Sequence, residues 1–327
     1  MRVLVVTSGW PSPLHPEQSI FVAEHVDRLR ELGLDVDVVT YLGEFDPRNY
    51  VRGRRDVRRA LRERPPDLIH AHFGQSGIIV LPSRVPVVLQ LHGSDLLGVV
   101  RHGRYTVKGW ILRRISRWAA RRADRVIVAG RALIPRLPNG VDYDILPMGV
   151  NTDVFYPRPK AQMRGELGLA LDRRYVMFTG DPAVARKRYN LATQVIDRLR
   201  RSMDIELLHM SGQSRESVAR HLNACDALLC TSLHESGPVL VKEALACGVP
   251  VVSVDVGDVA EMIAGLDSCV LCHDDQVSTL ADGLRDVLEH VAPADVTAAV
   301  ARVDQRVLAM RQVEIYEETL RRSRQGT

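Results

Sequence analysis

Residues 231–250 read TSLHESGPVLVKEALACGVP and predict the end of a strand, a turn and a short helix. Ser236 or Gly237 can cap this helix, and Pro238 suits its first position, where the N–H that proline lacks is not needed. Gly248 is typical of a helix end. A helix that starts directly after a parallel strand presents free N–H groups and a positive dipole end, which favour a bound phosphate. The segment therefore predicts an α/β fold with an anion site at the helix start.

Two carboxylates bracket this helix start, Glu235 and Glu243. Eight positions along a continuous helix correspond to about 12 Å, more than the roughly 5–9.5 Å between the two carboxylates of a glycosidase. A solvated helix face is the usual explanation for an isolated pair, but the cap and the flanking strand favour a functional role. Carboxylates on both sides of a phosphate site suit a long ligand with hydroxyls at both ends, which describes a nucleotide sugar.

Short apolar runs alternate with helical patterns along the rest of the chain, and this alternation predicts parallel sheets. The strands predicted in the first half are 3–6, 36–40, 68–72, 87–91, 126–129 and 143–146. Those predicted in the second half are 175–179, 205–210, 227–231, 251–254 and 269–271. The fold class is therefore α/β, with two tandem doubly wound, Rossmann-like domains and a ligand cleft at the carboxyl ends of the strands.

The division between the domains is predicted near residues 155–160, which contain two prolines and no amphipathic pattern. The first domain is then 1–157 and the second is 158–302. Residues 303–327 form a long C-terminal helix with a polar, basic end, which we expect to pack back on the first domain.

Composition excludes several classes of protein. The chain has 327 residues, of which 46% are hydrophobic and 26% charged, enough for two cores. No apolar run approaches the roughly 18 residues that span a bilayer, and the run after Met1 is too short for a signal peptide. The five cysteines indicate reduced, packed thiols, and the pair Cys269 and Cys272 has no partner pair for zinc. We therefore expect a cytoplasmic protein. No Gly-x-Gly-x-x-Gly follows a strand, which argues against a nicotinamide dehydrogenase.

Basic residues concentrate in two stretches of the first half. The first runs from Arg101 to Arg125 and contains Trp110 and Trp118. Its apolar residues at helical spacing either pack on the sheet, the favoured interpretation, or contact an anionic membrane as a peripheral helix. These residues are Trp110, Ile111, Ile115, Trp118 and Ala119. The second basic stretch covers residues 52–64, but few aromatic residues accompany it, and no nucleic acid partner is expected.

Glu235 and Glu243, with seven residues between them in this setting, resemble the signature of the family 4 glycosyltransferases. Three further stretches are similar to that family: 66–72 (PDLIHAH), 91–95 (LHGSD) and 145–155 (ILPMGVNTDVF). The resemblance implies the two-domain GT-B fold and a retaining transfer from a nucleoside-diphosphate sugar, with no metal. It implies an enzyme of cell-surface polysaccharide or glycolipid assembly. The first domain would then lie on the acceptor side, and the second would bind the donor.

The resemblance also implies roles for residues that contact the sugar and the ribose. His92 would approach the reacting sugar from the first domain, Glu235 would hold hydroxyls of that sugar, and Glu243 would hold the ribose hydroxyls. His70 and His72 alternate onto one strand face, but no third ligand follows them at metal-binding spacing, so they are interpreted as cleft lining or structural.

The diphosphate would be held by residues that follow the first strand of the second domain. Lys187 matches the family's lysine, and only four of the 44 basic residues are lysines, which hints at a need for a compact charge. Asp181 stands directly after Gly180, where the family has an arginine, so Arg186 or Arg188 would supply the second charge. The predicted phosphate site also includes the helix start, made of Ser236, Gly237, Pro238 and Val239.

The chain departs from the family at two other places, and other functions stay open. Ser19 stands where a glycine is usual in the loop after the first strand, and the region between Met210 and Val218 is shorter than in relatives. A sugar-nucleotide epimerase or a phosphorylase can have the same tandem fold. A non-catalytic protein with two ligand-binding lobes is a further alternative, although such a protein is normally exported.

Overall fold

The computed structural model describes residues 1–12, 18–43, 46–101, 104–290 and 296–325. These residues form two compact units. The first unit comprises Met1–Pro147 together with Arg306–Thr327, and the second comprises Met148–Gln305. Each unit is a parallel sheet with helices on it, as the alternation of apolar runs predicts.

The sheet of the first unit is parallel and mostly buried, which agrees with its continuous apolar runs. The strands of the first unit are β1 (Arg2–Thr7), β2 (Asp35–Thr40), β3 (Leu68–His72), β4 (Val87–Leu91), β5 (Val100–Arg101), β6 (Arg104–Tyr105), β7 (Arg125–Val128) and β8 (Tyr143–Ile145). β5 and β6 form a separate antiparallel pair, and the six others lie in the order β2-β1-β3-β4-β7-β8. The order reverses between β1 and β3, so their carboxyl ends form the switch point at which such sheets bind ligands.

Helices cover both faces of this sheet. They are α1 (Ile20–Glu31), α2 (Pro47–Glu63), α3 (Gly77–Val80), α4 (Ser94–Leu97) and α5 (Val107–Ala120). Val57 of α2, Ile79 of α3 and Ala119 of α5 pack into one core with alternate residues of the strands. Val22 of α1 packs into the core on the opposite face. The helices α2, α3 and α5 therefore lie on the same side of the sheet.

The second unit repeats the architecture. Its strands are β9 (Arg174–Phe178), β10 (Ile205–Leu208), β11 (Ala227–Cys230), β12 (Val251–Val254) and β13 (Val270–Cys272), and their order is β10-β9-β11-β12-β13. The helices are α6 (Lys160–Leu167), α7 (Tyr189–Leu199), α8 (Arg215–Ala224), α9 (Val239–Ala246), α10 (Val259–Ile263), α11 (Val277–His290) and α12 (Thr297–Ala301). Here the switch point lies between the carboxyl ends of β9 and β11.

The division between the units differs from the predicted one. It falls before Met148, ten residues earlier than the boundary drawn after residue 157. Val150 and Phe155 are fully buried in the core of the second unit. The N–H of Val150 donates to the Val303 carbonyl at 2.8 Å. The prolines that suggested a linker therefore follow a segment that is already part of the second unit.

The last helix, α13 (Gln305–Gln325), belongs to the first unit for all but its first residue. Ile315 and Tyr316 are fully buried in the core that also contains Val22. The Tyr316 hydroxyl lies 2.6 Å from Nδ1 of His70 on β3. The first unit thus takes its outer helix from the far end of the chain.

Helix α5 buries only part of the predicted face: Ala119 is fully buried and Trp118 packs against the core, but the start of the helix turns a different side inward. Trp110 and Ile111 were expected to pack on the sheet, but both are exposed. The buried face consists of Gly109, Leu112, Ser116, Ala119 and Ala120. These are mostly small residues because the segment that contains Gly74 approaches the helix closely: a Cβ on Gly74 would lie 2.0 Å from Oγ of Ser116. The apolar periodicity could not reveal this close approach.

Every helix among the described residues is too short or too polar to cross a membrane. All five cysteines are free thiols, and four of them are buried. Burial raises the pKa of Cys247 to about 12, which leaves its thiol protonated and unreactive at neutral pH.

Candidate active site

The predicted phosphate-binding residues meet at the switch point of the second sheet. Gly180 follows β9, and Arg186 and Lys187 lie in the short 3₁₀ helix Ala185–Lys187 before α7. Glu235 lies in the loop after β11. The topology of the second unit alone therefore brings together four of the residues that the sequence selected.

Gly180 allows Lys187 to lie directly over the end of β9. Its φ is 152°, a conformation that residues with a side chain rarely adopt. A Cβ at this position would lie 3.0 Å from Cε of Lys187 and 3.2 Å from its Cδ. The backbone conformation thus favours glycine at this position, and the lysine side chain passes close to the place that a Cβ would occupy.

Two cations share one oxygen of Glu235. Nζ of Lys187 lies 2.6 Å from Oε1 of Glu235, and a guanidinium nitrogen of Arg186 pairs with the same oxygen. Burial alone would raise the pKa of Glu235, but Lys187 and then Arg186 outweigh burial and hold this pKa below its usual value. Glu235 is therefore an ionised acceptor at neutral pH, and the three groups together carry one net positive charge.

The backbone around these cations is fixed by hydrogen bonds between the two loops. The N–H of Leu233 donates to the Arg186 carbonyl at 2.8 Å. The Thr231 hydroxyl donates to the Lys187 carbonyl at 2.8 Å. The loops after β9 and β11 are consequently tied together, which holds Lys187 against Glu235.

Of the two arginines that could supply the second charge, only Arg186 lies at Glu235. Arg188 has a left-handed conformation with φ 55°. Its side chain donates to the Thr231 carbonyl and pairs with Asp275 instead. Asp181, at the position where the resemblance predicts an arginine, accepts the N–H of Ala183 at 2.8 Å and so forms a turn.

Helix α9 starts later than predicted. Val239 is its first residue, Pro238 is the N-cap, and no side chain caps the helix. Ser236 and Gly237 therefore lie before the cap. Because Glu235 is outside the helix, the separation of about 12 Å expected for two residues of one continuous helix does not apply to Glu235 and Glu243. Gly248 ends the helix at φ 72° as predicted. Its N–H bonds to Leu245 and that of Val249 bonds to Ala244, which is a Schellman motif.

The loop before α9 is fixed by a buried ion pair that the sequence did not suggest. Lys242 on α9 is fully buried, and its Nζ lies 2.8 Å from Oδ2 of Asp258. A Cβ on Gly237 would lie 2.7 Å from that same carboxylate oxygen. Gly237 thus permits the backbone to approach Asp258, while Lys242 neutralises the carboxylate beside it.

Glu243 is buried and paired with an arginine that sequence reasoning missed. An Nη of Arg215 lies 2.6 Å from Oε1 of Glu243, whose side chain is 2% exposed. The Arg215 guanidinium also lies 4.6 Å from the ring centre of Phe155. Arg215 is the first residue of α8. Nothing in the local sequence marks this residue, because its partners are 28 and 60 positions away.

His92 lies in the first unit, directly after β4. Its Nε2 is 3.0 Å from Nδ1 of His72, and the two rings are stacked at 5.2 Å. Burial, with a smaller contribution from His25, lowers the pKa of His92 to about 3, so the ring is neutral at pH 7. Asp95 accepts the His92 N–H at 2.6 Å and the Gly74 N–H at 2.9 Å, which fixes the loop. A neutral, fixed imidazole can exchange hydrogen bonds but carries no charge.

His92 belongs to a buried histidine cluster with His25 of α1 and His70 and His72 of β3. The rings of His70 and His72 are 4.1 Å apart, and that of His25 lies within 6.4 Å of both. Burial lowers the pKa of His25 to about 4 and those of His70 and His72 well below the usual value. Within the described part of the chain, no group of three or more His, Cys, Asp or Glu side chains is placed to hold a metal ion.

Ser19, at the position where the resemblance predicts a glycine, has a left-handed backbone conformation. Ser19 is the N-cap of α1 with φ 51° and ψ 31°, which is left-handed. A Cβ on Gly9 would lie 2.7 Å from its hydroxyl oxygen. The conformation explains why glycine suits this position, and Ser19 adopts it at some energetic cost.

Comparison with known proteins agrees with this architecture. Residues 1–154 match the model of Glycosyltransferase Family 4, and residues 205–298 match that of Glycosyl transferases group 1. The putative teichuronic acid biosynthesis glycosyltransferase of Bacillus subtilis is 26% identical over 80% of this chain and 83% of its own.

Two solved structures share the fold. Sucrose-phosphate synthase from Thermosynechococcus elongatus superposes with a TM-score of 0.76 at 15% identity, covering 97% of this chain and 99% of that one. Anabaena HepE in complex with UDP and glucose superposes with a TM-score of 0.71 at 17% identity and the same coverage. The chain belongs to the family 4 glycosyltransferases and has the GT-B type of fold, as the sequence predicts.

Proposed function

We propose that the protein is a retaining glycosyltransferase that moves a sugar from a nucleoside diphosphate to an acceptor hydroxyl. The observation that carries this proposal is the convergence of Lys187 and Arg186 on Glu235 at the switch point of the second sheet. Negative charge develops on the leaving diphosphate as the bond to the sugar breaks. Fixed cations at that point stabilise the transition state more than the ground state.

Different residues around this cluster would bind different parts of the donor. Lys187 and Arg186 would bind the diphosphate, with backbone N–H groups of Ser236, Gly237 and Val239. The ionised carboxylate of Glu235 would accept hydrogen bonds from hydroxyls of the transferred sugar. The other residues proposed to bind the donor are Gly180, Arg188, Pro238 and Glu243. His92, as a neutral imidazole, is the candidate of the first unit for contact with the reacting sugar.

Retention and independence of metal are further parts of the proposal. The leaving phosphate would assist attack by the acceptor on the same face of the sugar, so that the anomeric configuration is kept. The charge of Lys187 and Arg186 would serve where other transferases use a divalent cation. No cofactor besides the nucleotide sugar is proposed.

The substrates and the compartment are proposed from similar proteins and from the thiols. UDP-glucose is the first donor to test, since the Anabaena structure contains UDP and glucose. An acceptor in cell-surface polysaccharide or glycolipid assembly follows from the similarity to a teichuronic acid glycosyltransferase. Five free cysteines fit the reducing cytoplasm.

Product analysis tests the reaction and separates it from its alternatives. The protein would be incubated with UDP-glucose and a panel of acceptor glycans in the presence of EDTA, and the products followed by NMR. We expect a new glycosidic bond with the donor's anomeric configuration. A product with the inverted anomeric configuration would exclude a retaining mechanism, and a requirement for added metal would contradict the proposed metal-free reaction. Conversion of the donor without an acceptor would indicate an epimerase.

Glu243→Ala is expected to weaken donor binding while changing kcat little, because the ribose hydroxyls lie far from the bond that breaks. The loss of charged hydrogen bonds predicts a Kd about tenfold to a hundredfold higher. Isothermal titration with a nucleoside diphosphate and its 2′-deoxy form measures the effect. The wild type should discriminate between the two nucleotides, and the variant should not.

The control for this prediction addresses Arg215, which Glu243→Ala leaves without its buried partner. In the double variant with Arg215→Ala, the unpaired charge is removed as well. The loss of discrimination should persist there. If the Glu243→Ala variant still distinguishes ribose from 2′-deoxyribose, Glu243 does not hold the ribose.

A further inference from the structure

His72 and His92 meet at the carboxyl ends of two neighbouring strands of the first sheet. His72 is the last residue of β3, and His92 follows β4 directly. Nδ1 of His72 lies 3.0 Å from Nε2 of His92, and the planes of the two rings differ by only 10°. The N–H and the lone pair of an imidazole both lie in the plane of the ring, so nearly parallel rings suit an N–H···N bond. The two imidazoles are therefore hydrogen-bonded directly to each other.

The two histidines differ in what they can reach. The side chain of His72 is fully buried, with the rings of His70 at 4.1 Å and of His25 at 6.4 Å between centres. His92, in contrast, is partly exposed. A ligand at the first unit can thus touch His92 but not His72. Any effect of His72 on a ligand therefore has to pass through His92.

Other contacts of His92 fix its place but not its proton. Asp95 accepts the backbone N–H of His92 at 2.6 Å. The His92 ring packs against the rings of Phe73 and Phe21, at 4.7 Å and 5.2 Å between centres. A phenyl ring has no N–H and no lone pair in its plane, so these contacts do not select the nitrogen that carries the proton. The hydrogen bond with His72 does select it, because each tautomer of His92 offers a different group at Nε2.

Two arrangements of the protons are compatible with this hydrogen bond. Burial lowers the pKa of both histidines, so both rings are neutral at pH 7 and each has one N–H and one lone pair. If His72 donates from Nδ1, then Nε2 of His92 accepts and the His92 proton is on Nδ1. If His92 donates from Nε2, then Nδ1 of His72 accepts and the His72 proton is on Nε2. The surroundings of Nε2 of His72 therefore decide between the two arrangements.

Nε2 of His72 lies in surroundings that suit a lone pair better than a proton. This nitrogen is buried and has no hydrogen-bond partner among the described residues. A buried N–H without an acceptor is rare in folded proteins and costs stability, whereas an unused acceptor is found more often. The arrangement in which His72 donates places only a lone pair at Nε2. The structure thus favours a proton on Nδ1 of both histidines.

We propose that His72 is a positioning residue that holds His92 in the tautomer with its proton on Nδ1. In this tautomer the Nε2 lone pair of His92 accepts the hydrogen bond from His72, and the other ring nitrogen carries the proton. His92 would therefore donate a hydrogen bond to an oxygen of the reacting sugar and would not remove a proton from the acceptor hydroxyl. The role of His92 at the sugar rests on the proposed transferase function, whereas its tautomer does not.

NMR of the full-length protein without substrate tests the tautomer. With ¹⁵N-labelled histidine, long-range ¹H–¹⁵N correlation spectra at neutral pH show which ring nitrogen carries the proton. The chain has 11 histidines, and the spectra of His92→Gln and His72→Asn assign the two rings. We expect the wild type to carry the His92 proton on Nδ1, which is the less abundant tautomer of free histidine. A His92 proton on Nε2 would overturn the proposal. The expected tautomer in a protein that transfers no sugar would support the positioning by His72 and contradict the transferase function instead.

Two variants of His72 connect the tautomer with sugar transfer. His72→Leu removes the donor and should lower kcat about tenfold to a hundredfold, the usual cost of removing a partner that orients a functional histidine. The His92 proton should no longer be confined to Nδ1 in this variant. His72→Asn can place an amide N–H where Nδ1 of His72 stood, so it should keep the His92 proton on Nδ1 and recover most of the activity. The affinity for a nucleoside diphosphate should stay as in the wild type, because the diphosphate is proposed to bind the second unit.

His25→Leu is the matched control. His25 belongs to the same buried cluster, but its ring centre is 6.4 Å from that of His72, and no hydrogen bond between His25 and His92 is recorded among the described residues. This variant should leave the His92 tautomer unchanged and kcat within about threefold of the wild type. An equal loss of kcat in His25→Leu and His72→Leu would indicate a general packing defect and contradict the proposal. A normal kcat in His72→Leu with the proton moved to Nε2 would contradict it as well.

Discussion

Lys187→Ala is expected to lower kcat for sugar transfer about a hundredfold to a thousandfold, the usual cost of removing one fixed group that stabilises developing charge. Lys187 lies 2.6 Å from Glu235 and, through Gly180, directly over the end of β9. Without it, Arg186 alone faces Glu235, and the cluster loses its net positive charge. The leaving diphosphate is then less stable, and Glu235 is more easily protonated. Steady-state kinetics with saturating donor and acceptor measures the effect.

Two variants show whether the loss is specific. Lys160→Ala removes another lysine of the second unit, which pairs at 2.8 Å with Asp226, itself also paired with Arg164. Its kcat should stay within about threefold of the wild type. Lys187→Arg keeps the charge but not its compact shape and should recover part of the activity. A Lys187→Ala enzyme with a normal kcat would show that Lys187 does not face the leaving group.

Acid should destabilise the first unit, because four of its histidines are neutral in the folded state. The four clustered histidines are neutral in the folded state, with a pKa of about 4 for His25 and about 3 for His92. In the unfolded chain they take up protons near pH 6.5. Because the unfolded state binds more protons below that pH, stability falls as the pH decreases. Each histidine contributes about 1.4 kcal/mol per pH unit until its folded-state pKa is reached.

Tryptophan fluorescence isolates this effect, since Trp10, Trp110 and Trp118 all lie in the first unit. Urea unfolding at about pH 7.5 and at about pH 5 should differ by about 2 kcal/mol for each of His25 and His92, and His70 and His72 should act in the same direction. His25→Gln should reduce this difference by that amount. His273 has a side chain that is 82% exposed, so His273→Gln is the control and should not change it. Equal stability at the two pH values would contradict the neutral, buried cluster.

The strands could be predicted closely because their apolar runs end at residues that interrupt them. β3, β4 and β12 have the predicted bounds. The buried face of a helix was harder to predict from the sequence. The apolar periodicity predicted that Trp110 and Ile111 of α5 lie in the core. The backbone at Gly74 and Gly77 comes so close to α5 that only small residues fit on the side of the helix that is buried. Which face a helix buries depends on its neighbour as well as on its own hydrophobicity.

The candidate site was predictable where its residues are close in sequence or follow adjacent strands. Gly180, Lys187 and Glu235 meet because β9 and β11 are neighbours in the sheet. The choice between Arg186 and Arg188 was not predictable, because it depends on the left-handed conformation of Arg188. The same holds for the pair of Arg215 with Glu243, which joins two helices. Contacts between distant elements leave no periodic pattern in a sequence.

The most direct test of the central claim is a thermal-shift panel of nucleoside diphosphates and their sugars, without added metal. Binding at the second unit must raise the melting temperature by mass action. We expect one nucleotide, UDP being the first candidate, to raise the melting temperature of the wild type and of Lys160→Ala but not that of Lys187→Ala. Absence of any shift in the folded wild type, or an equal shift in Lys187→Ala, would contradict the donor site proposed at Lys187, Arg186 and Glu235.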